Sequence, residues 1–198
     1  MGRFSFSRCF VMMWLMATPK SKGLTQLFTG NGKGKTTAAL GTAIRAAAKG
    51  WKVAIVYFDK GGEHYSERSI VAERFPEIDL FATGLDRIDP KTNKFRFGVT
   101  DEDKAEAERG LEIVRDLFTN NQHQLVVLDE INTTTSLGML DESSVLKVLK
   151  SKPEDMELIM TGRNCPGSFK ETADLVSDVN LVKHYFYHGV PAREGLDF

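Results

Sequence analysis

Short apolar runs alternate with longer amphipathic stretches along most of this sequence. The near-continuous apolar run at residues 52–58 is typical of a parallel strand that is covered on both faces. Residues 101–120 instead carry Leu111, Val114 and Leu117 at helical spacing, as a helix with one buried face does. By these patterns, strands are predicted at residues 24–28, 52–58, 78–82, 125–128, 157–160 and 174–183. Helices are predicted up to about residue 49 and at residues 63–75, 101–120, 140–150 and 169–173.

This alternation of strands and helices predicts an α/β fold with a mostly parallel, six-stranded sheet flanked by helices. Ligands of such sheets bind at the C-terminal ends of the strands. Polar or glycine-rich segments directly follow predicted strands at residues 29–37, 59–62, 129–130 and 162–164. Residues 83–100 are predicted to form a long loop, and long loops in compact domains are usually functional or mobile.

The most informative segment is a glycine-rich loop between the first predicted strand and an alanine-rich stretch. A strand, a glycine loop and a helix in this order are typical of a P-loop, whose backbone N–H groups surround a phosphate at the helix N-terminus. Lys35 would then bind the phosphates, and the Thr36 hydroxyl would bind Mg²⁺. The strict motif has glycine where this chain has Thr29, so a glycine turn that only caps a helix is the alternative. The predicted cradle consists of Gly30, Asn31, Gly32, Lys33, Gly34, Lys35, Thr36 and Thr37.

Two adjacent carboxylates follow the apolar run at residues 125–128. Asp129 matches the second P-loop signature, in which a strand-end carboxylate helps to hold Mg²⁺ beside the loop threonine. Glu130 could bind the metal, polarise a water molecule or hold a neighbouring loop. The alternative for Asp129 is an ordinary turn residue, because aspartate favours turns.

Three basic residues are further candidates for phosphate binding. Arg163, in the loop at residues 161–164, would bring a guanidinium to the phosphates, or it is a solvated loop residue. Lys33 adds phosphate charge or is simply exposed. Arg45 lies among alanines in the helix after the P-loop and could equally be a surface residue.

Two histidines flank the aromatic residues 185–187 near the C-terminus. His184 and His188 could share a metal ion only if this segment were helical, and the nearby Gly189 and Pro191 disfavour a helix. We therefore expect an aromatic cluster that caps the sheet.

Length, charge and cysteine content narrow the class of protein. A chain of 198 residues fits one domain, and 26 Lys and Arg against 27 Asp and Glu give no argument for a nucleic-acid or membrane partner. Two cysteines are too few for a disulfide framework, and together with a P-loop they favour a cytoplasmic location.

The N-terminal residues differ from the rest of the chain. Arg3 and Arg8 precede an apolar run at residues 9–17, which is similar to a short signal peptide but too short to span a bilayer. We interpret residues 1–16 as an upstream extension or a mis-set start and residues 17–198 as the single domain. A targeting segment and an apolar arm that packs on the body or on a partner subunit are the alternatives.

Taken alone, these motifs predict a P-loop NTPase (RecA-like) fold and an Mg²⁺-nucleotide enzyme or switch. Several segments together resemble the P-loop type ATP:corrinoid adenosyltransferases, and they occur in family order across residues 24–196. The matching segments are residues 29–40, 127–130, 161–164, 173–176, 182–186 and 189–195, and His184 lies in one of them.

The resemblance implies transfer of the 5′-deoxyadenosyl group of ATP to the Co(I) centre of a reduced corrinoid, with release of triphosphate. Since Co(I) is the nucleophile, the protein would position the reactants and stabilise the leaving group. The resemblance also implies Mg²⁺ held by Thr36 with Asp129 or Glu130, a homodimer, and a reductase that supplies Co(I).

The loop at residues 83–100 departs from the family pattern. Members of the family usually carry a Phe-Thr-Trp run there, whose aromatic side chains help to displace the lower axial ligand of the corrinoid. This loop has no tryptophan, and we expect Phe95 or Phe97 to replace the missing wedge. A plain P-loop ATPase or phosphoryl transferase and a non-catalytic ATP or corrinoid sensor are the rival functions.

Overall fold

One sheet of six parallel strands forms the centre of the computed structural model, which describes residues 22–62, 65–88, 91 and 96–197. The strands follow the spatial order β3-β2-β4-β5-β1-β6, and every neighbouring pair is parallel. The predicted α/β class is therefore confirmed. The strands are β1 (Thr25–Thr29), β2 (Val53–Tyr57), β3 (Ile78–Ala82), β4 (Leu125–Asp129), β5 (Glu157–Thr161) and β6 (Leu175–Asp178).

Helices cover both faces of this sheet. On one face, Ala39, Ala43 and Ala47 lie four residues apart on the first helix, and their small side chains pack against the apolar side chains of β2 and β4. The other face is covered mainly by the third and fifth helices. The helices are α1 (Lys35–Ala47), α2 (Ser66–Arg74), α3 (Asp101–Asn120), α4 (Ile131–Ser136), α5 (Glu142–Lys150) and α6 (Gly167–Thr172), followed by a 3₁₀ turn (Tyr185–His188).

The strand order brings the predicted site residues together at the C-terminal ends of neighbouring strands. The glycine loop follows β1, and the Asp129 carboxylate ends β4, with only β5 between these two strands. The register pairs Tyr57 with Asp129, and Phe28 with Thr161, at the C-terminal ends of their strands. The segments that were predicted to be functional therefore converge as expected.

The sequence predictions differ from the structure in two places. The sixth strand ends at Asp178 rather than at residue 183, because the chain then crosses the glycine loop, where Gly32 N donates to Val179 O at 2.7 Å. The short helix α4 was not predicted, since threonines are poor helix formers. There the Thr134 and Thr135 hydroxyls donate to carbonyl oxygens four residues back, each at 2.9 Å.

The other helices and strands match their predictions within a few residues, and α3 and β3 match at both ends. The predicted start of the second helix, at residue 63, lies outside the described residues. The predicted extension at residues 1–16 also lies outside them, so the division into an extension and one domain at 17–198 stays a prediction. No helix among the described residues is both long and apolar enough to cross a membrane.

Candidate active site

The glycine loop forms a close-packed cradle between β1 and α1. Gly30 has φ +94°, and a Cβ atom placed on it would lie 2.2 Å from Asp178 Oδ1. A Cβ atom on Gly32 would lie 2.7 Å from Val179 O. Thr29, where the strict motif has glycine, is instead the last residue of β1 and pairs with Asp178 as an ordinary strand residue. The departure from the motif therefore leaves the loop's turn intact.

Lys35 begins α1 and folds back over this loop. Its side chain is buried, and its Nζ atom donates to Gly32 O at 2.7 Å. Burial lowers the pKa of Lys35, and the nearby Glu130 carboxylate opposes this shift only in part. The ammonium thus lies at the mouth of the cradle, in the position from which a P-loop lysine reaches phosphate oxygens.

A buried cluster lies beside the cradle and centres on Asp129, of which 1% is exposed. Asp129 Oδ2 lies 3.3 Å from Thr36 Oγ1 and forms an ion pair with Lys60 Nζ. Asp129 Oδ1 accepts a hydrogen bond of 2.6 Å from Thr161 Oγ1, on the strand that separates β4 from β1. Both carboxylate oxygens therefore have partners, and the Asp129 side chain is held in one orientation.

Glu130 is the N-cap residue directly before α4 and has a left-handed backbone, with φ +66°. Its backbone N donates to Thr161 Oγ1 at 2.9 Å, and one carboxylate oxygen accepts from Thr133 Oγ1 at 2.5 Å. Its other carboxylate oxygen lies 3.9 Å from Lys60 Nζ, and the side chain lines the cavity above the cradle. This left-handed turn directs the Glu130 carboxylate toward the cavity that a ligand would fill.

The oxygen atoms of Thr36, Asp129 and Glu130 suit a hard divalent cation. Within the described part of the chain, no group of three or more His, Cys, Asp or Glu could hold a metal ion. Mg²⁺ commonly binds through one or two carboxylates while substrate phosphates and water complete its octahedron. The donors present therefore fit a Mg²⁺ ion that binds together with a nucleotide.

The cavity above the cradle has a volume of about 740 Å³. The glycine loop forms its floor, α2 lines one side, and the segment 184–197 lines the other. Arg163 is exposed and lines the same cavity. His184 also lines it and accepts a hydrogen bond from Phe186 N at 3.1 Å, so the C-terminal aromatic segment borders the cavity.

Lys33 attaches this C-terminal segment to the cradle. Its Nζ atom forms an ion pair with Asp197, donates to Leu196 O at 2.5 Å and lies 3.4 Å from Tyr185 OH. The bond to Asp197 raises the pKa of Lys33. Lys33 was predicted to add phosphate charge or to be exposed. It is exposed, and it also holds one wall of the cavity through its bonds to the C-terminal segment.

Two other candidate residues lie away from the cavity lining. Arg45 is exposed in the last turn of α1, which fits the surface alternative. Phe97 is 86% exposed on the 83–100 loop and does not line the cavity. Phe95 lies outside the described residues.

Buried ion pairs anchor the described part of the 83–100 loop. Arg87 Nε donates to Asp59 Oδ1 at 2.7 Å, and Arg87 Nη1 donates to Gly98 O at 2.8 Å. Arg96 binds both carboxylate oxygens of Asp103, at 2.6 and 2.9 Å. The Arg96 guanidinium lowers the pKa of Asp103 to about 2 in spite of its burial. This network fixes the backbone on both sides of Phe97.

Sequence reasoning missed Lys60 as a site residue. The signal was present, because Lys60 lies in the polar loop directly after β2, at the functional edge of the sheet. The C-terminal wall was missed because nothing local in the sequence pairs Lys33 with residues more than 160 positions later.

A glycine cradle at the C-terminal ends of parallel strands, beside a threonine and a buried aspartate, is the arrangement of a P-loop NTPase-like fold. The family described as ATP:corrinoid adenosyltransferase BtuR/CobO/CobP has a sequence model that matches residues 21–198. The chain belongs to this family.

Individual relatives agree with the family match. A Sinorhizobium sp. protein named corrinoid adenosyltransferase is 35% identical over 188 residues, which cover 93% of this chain and 85% of the relative. A protein of the same name from Escherichia coli K12 is 34% identical and covers 89% and 86% of the two chains. Corrinoid adenosyltransferase CobA of Salmonella typhimurium LT2 is 35% identical and covers 90% and 87%.

Proposed function

We propose that the protein transfers the 5′-deoxyadenosyl group of ATP to the Co(I) centre of a reduced corrinoid and releases triphosphate. The observation that carries this proposal is the convergence of the glycine cradle, Lys35 and Thr36 on one cavity, with the buried Asp129 bonded to Thr36, in a member of this family. The cavity has room for a nucleotide, and its cationic side chains suit a polyphosphate.

In the proposed reaction, Co(I) donates an electron pair to C5′ of ATP. The cobalt–carbon bond forms as the bond between C5′ and the α-phosphate oxygen breaks, and that electron pair leaves with the triphosphate. Because the nucleophile belongs to the substrate, no protein side chain needs to attack. The protein's task is to hold the triphosphate as a single leaving group.

The cradle residues have distinct roles in this proposal. The backbone N–H groups from Gly30 to Thr37, including those of Asn31 and Gly34 but not that of Gly32, which donates to Val179 O, would bind phosphate oxygens, and Lys35 adds a positive charge. Thr36, Asp129 and Glu130 hold Mg²⁺, which would neutralise part of the charge that develops on the triphosphate. Arg163, which is exposed and lines the same cavity, would bind a phosphate oxygen.

For the corrinoid side, we propose that Phe97, together with Phe95, replaces the aromatic run that the family usually carries. The support is that Phe97 is almost fully exposed while the backbone around it is fixed by the Arg87 and Arg96 ion pairs. An exposed aromatic ring on a fixed backbone can press against a flat macrocycle. His184, which lines the cavity, would contact the substrates there.

The oligomeric state, the source of Co(I) and the location of the protein are further parts of this proposal. A second copy of the chain would cover the exposed apolar side chains of Val182, Phe186 and Tyr187, which supports a homodimer. Co(I) is strongly reducing, so a reductase must supply it, and ATP is the other substrate. Both needs favour the cytoplasm as the location. Light scattering of the purified protein tests the dimer.

One assay tests the proposed reaction against its rivals. The protein is incubated with ATP, Mg²⁺ and chemically reduced cobalamin under anaerobic conditions, and the phosphate products are separated. Triphosphate together with a cobalt–carbon spectrum supports the transferase. ADP without a cobalt–carbon product would instead identify an ATPase or phosphoryl transferase, and no product with measurable binding would identify a sensor.

A further inference from the structure

A lysine ammonium already lies between the groups proposed to bind Mg²⁺. Lys60 Nζ lies 3.0 Å from Thr36 Oγ1, pairs with Asp129 Oδ2 and lies 3.9 Å from Glu130 Oε1. A Mg²⁺ ion contacts its oxygen ligands at about 2.1 Å. An ion that bound the same two oxygens would have to take the space that the ammonium fills. Lys60 and the metal ion therefore exclude one another at this position.

The buried Asp129 explains why a cation is needed there. Its carboxylate is 99% buried, and removal of the Lys60 ammonium would leave this buried anion without its ion-pair partner, which is strongly unfavourable. Thr36 and Thr161 satisfy its oxygens with hydrogen bonds, but neither carries charge. Two carboxylates, those of Asp129 and Glu130, face the Lys60 ammonium.

Hydrogen bonds fix the backbone of Lys60, whereas its side chain borders a cavity into which it can rotate. Lys60 N donates to Thr83 O at 3.0 Å, and the Arg68 guanidinium binds the carbonyl oxygens of Lys60 and Gly62. Lys60 also lines the 740 Å³ cavity that the nucleotide would fill. A lysine suits such a move because its charge is compact and its stem has four rotatable carbons, unlike the planar fork of arginine.

We propose that the Lys60 ammonium is an exchangeable counter-ion of the nucleotide site. Without nucleotide, it holds Asp129 and Thr36 in the arrangement that a metal ion requires. When the metal–triphosphate unit enters, the ammonium moves into the cavity and binds a phosphate oxygen of the leaving group. This inference rests on the proposed function for the identity of the ligand, and it assigns Lys60 two successive partners.

The exchange predicts that removal of the Lys60 charge changes two binding affinities in opposite directions. In Lys60→Met, Mn²⁺ alone should bind about tenfold more tightly, since no ammonium competes for Asp129. Inorganic tripolyphosphate with Mg²⁺ should bind about tenfold more weakly, since one phosphate partner is lost. Electron paramagnetic resonance of free Mn²⁺ and titration calorimetry measure the two affinities. Lys49→Met, an exposed lysine beyond the end of α1, is the matched control and should change neither.

A purely structural ion pair gives a different result. In that case, Lys60→Met would lose thermal stability, and its Mn²⁺ affinity would stay the same or fall, which would overturn the exchange. If Lys60→Met does not fold, Lys60→Arg keeps a cation and serves in its place. It should bind tripolyphosphate more weakly than wild type without any gain in Mn²⁺ affinity, and a gain in Mn²⁺ affinity would refute the proposal.

The unsubstituted protein provides an independent measurement. The ¹⁵Nζ resonance of Lys60, assigned by its absence in Lys60→Arg, should shift when Mg²⁺-tripolyphosphate is added, and an unchanged resonance would contradict the exchange. Failure of the proposed function has a separate signature, namely ADP in place of triphosphate in the reaction assay. The opposite shifts in Mn²⁺ and tripolyphosphate affinity would still support the exchange in that event.

Discussion

The nucleotide side of this site and its proposed corrinoid side are built in different ways. On the nucleotide side, Asp129, Thr36 and Thr161 are fixed at strand and helix ends, and their bonds are largely buried. On the corrinoid side, Phe97 projects from a loop that ion pairs hold at both ends. The first region is preorganised by the sheet itself, whereas the second can change its exposed residues without disturbing the core. The exposed residues of this loop can therefore vary without any change in the buried cluster around Asp129.

Of the substitutions considered, loss of Lys35 should lower the activity most, because it acts on the nucleotide side of the site. In Lys35→Ala the cradle keeps its backbone donors but loses its buried ammonium, and we expect kcat/KM to fall about 10²–10³-fold. Tripolyphosphate affinity should fall in parallel in calorimetry, while the circular dichroism spectrum stays unchanged. Lys49→Ala serves as the control. Wild-type turnover in Lys35→Ala would show that the phosphates bind elsewhere.

Removal of Asp103, which anchors the 83–100 loop, should have the next largest effect, in this case on stability. Asp103→Ala leaves Arg96 and Arg87 without their shared carboxylate and removes half of the capping box of α3. We expect a loss of about 3 kcal/mol in the free energy of unfolding, measured by urea titration. Asp101 is the exposed first residue of the same helix, and Asp101→Ala should lower the free energy of unfolding by less than about 0.5 kcal/mol. Equal losses in the two variants would mean that the ion pairs do not anchor the loop.

The aromatic side chains test the corrinoid side by itself. In the double variant Phe95→Ala and Phe97→Ala, we expect adenosylation to slow by about tenfold, equal to about 1.4 kcal/mol, because the proposed wedge is lost. ATP affinity should not change, since Phe97 lies outside the cavity lining. Steady-state rates with varied corrinoid, together with calorimetry with ATP, separate the two effects. Unchanged turnover would refute the wedge.

Acid should weaken the loop anchor in a gradual way. The pKa of Asp103 is about 2 in the folded protein, below the ordinary carboxyl value near 3.9. Its contribution to stability is therefore complete above about pH 4 and is lost as the pH falls toward 2. Urea titrations at pH 5, 4 and 3 should show this decline, and Asp103→Asn should show a smaller one. An identical pH dependence in the two proteins would assign the decline to other carboxylates.

Most of the nucleotide side was predictable because its signals are local. The strand before Gly30, the helix after Lys35 and the apolar run before Asp129 are each visible within ten residues of sequence. Parallel strands then bring their C-terminal ends together, so the convergence of these segments follows from the fold class.

The remaining features depend on tertiary contacts that no local pattern encodes. Lys60 meets Asp129 across 69 positions of sequence, and Lys33 meets Asp197 across 164. The helix α4 contains three threonines in spite of their low helix propensity, and the hydroxyls of Thr134 and Thr135 donate to carbonyl oxygens of the preceding turn. Sequence patterns therefore predicted the cradle, while its counter-ion and its C-terminal wall required the folded structure.

The attachment of the C-terminal segment to Lys33 has a practical consequence for protein production. Asp197, which binds the cradle lysine, lies one residue before Phe198. An affinity tag fused after Phe198 would emerge beside the phosphate-binding loop and compete with this contact.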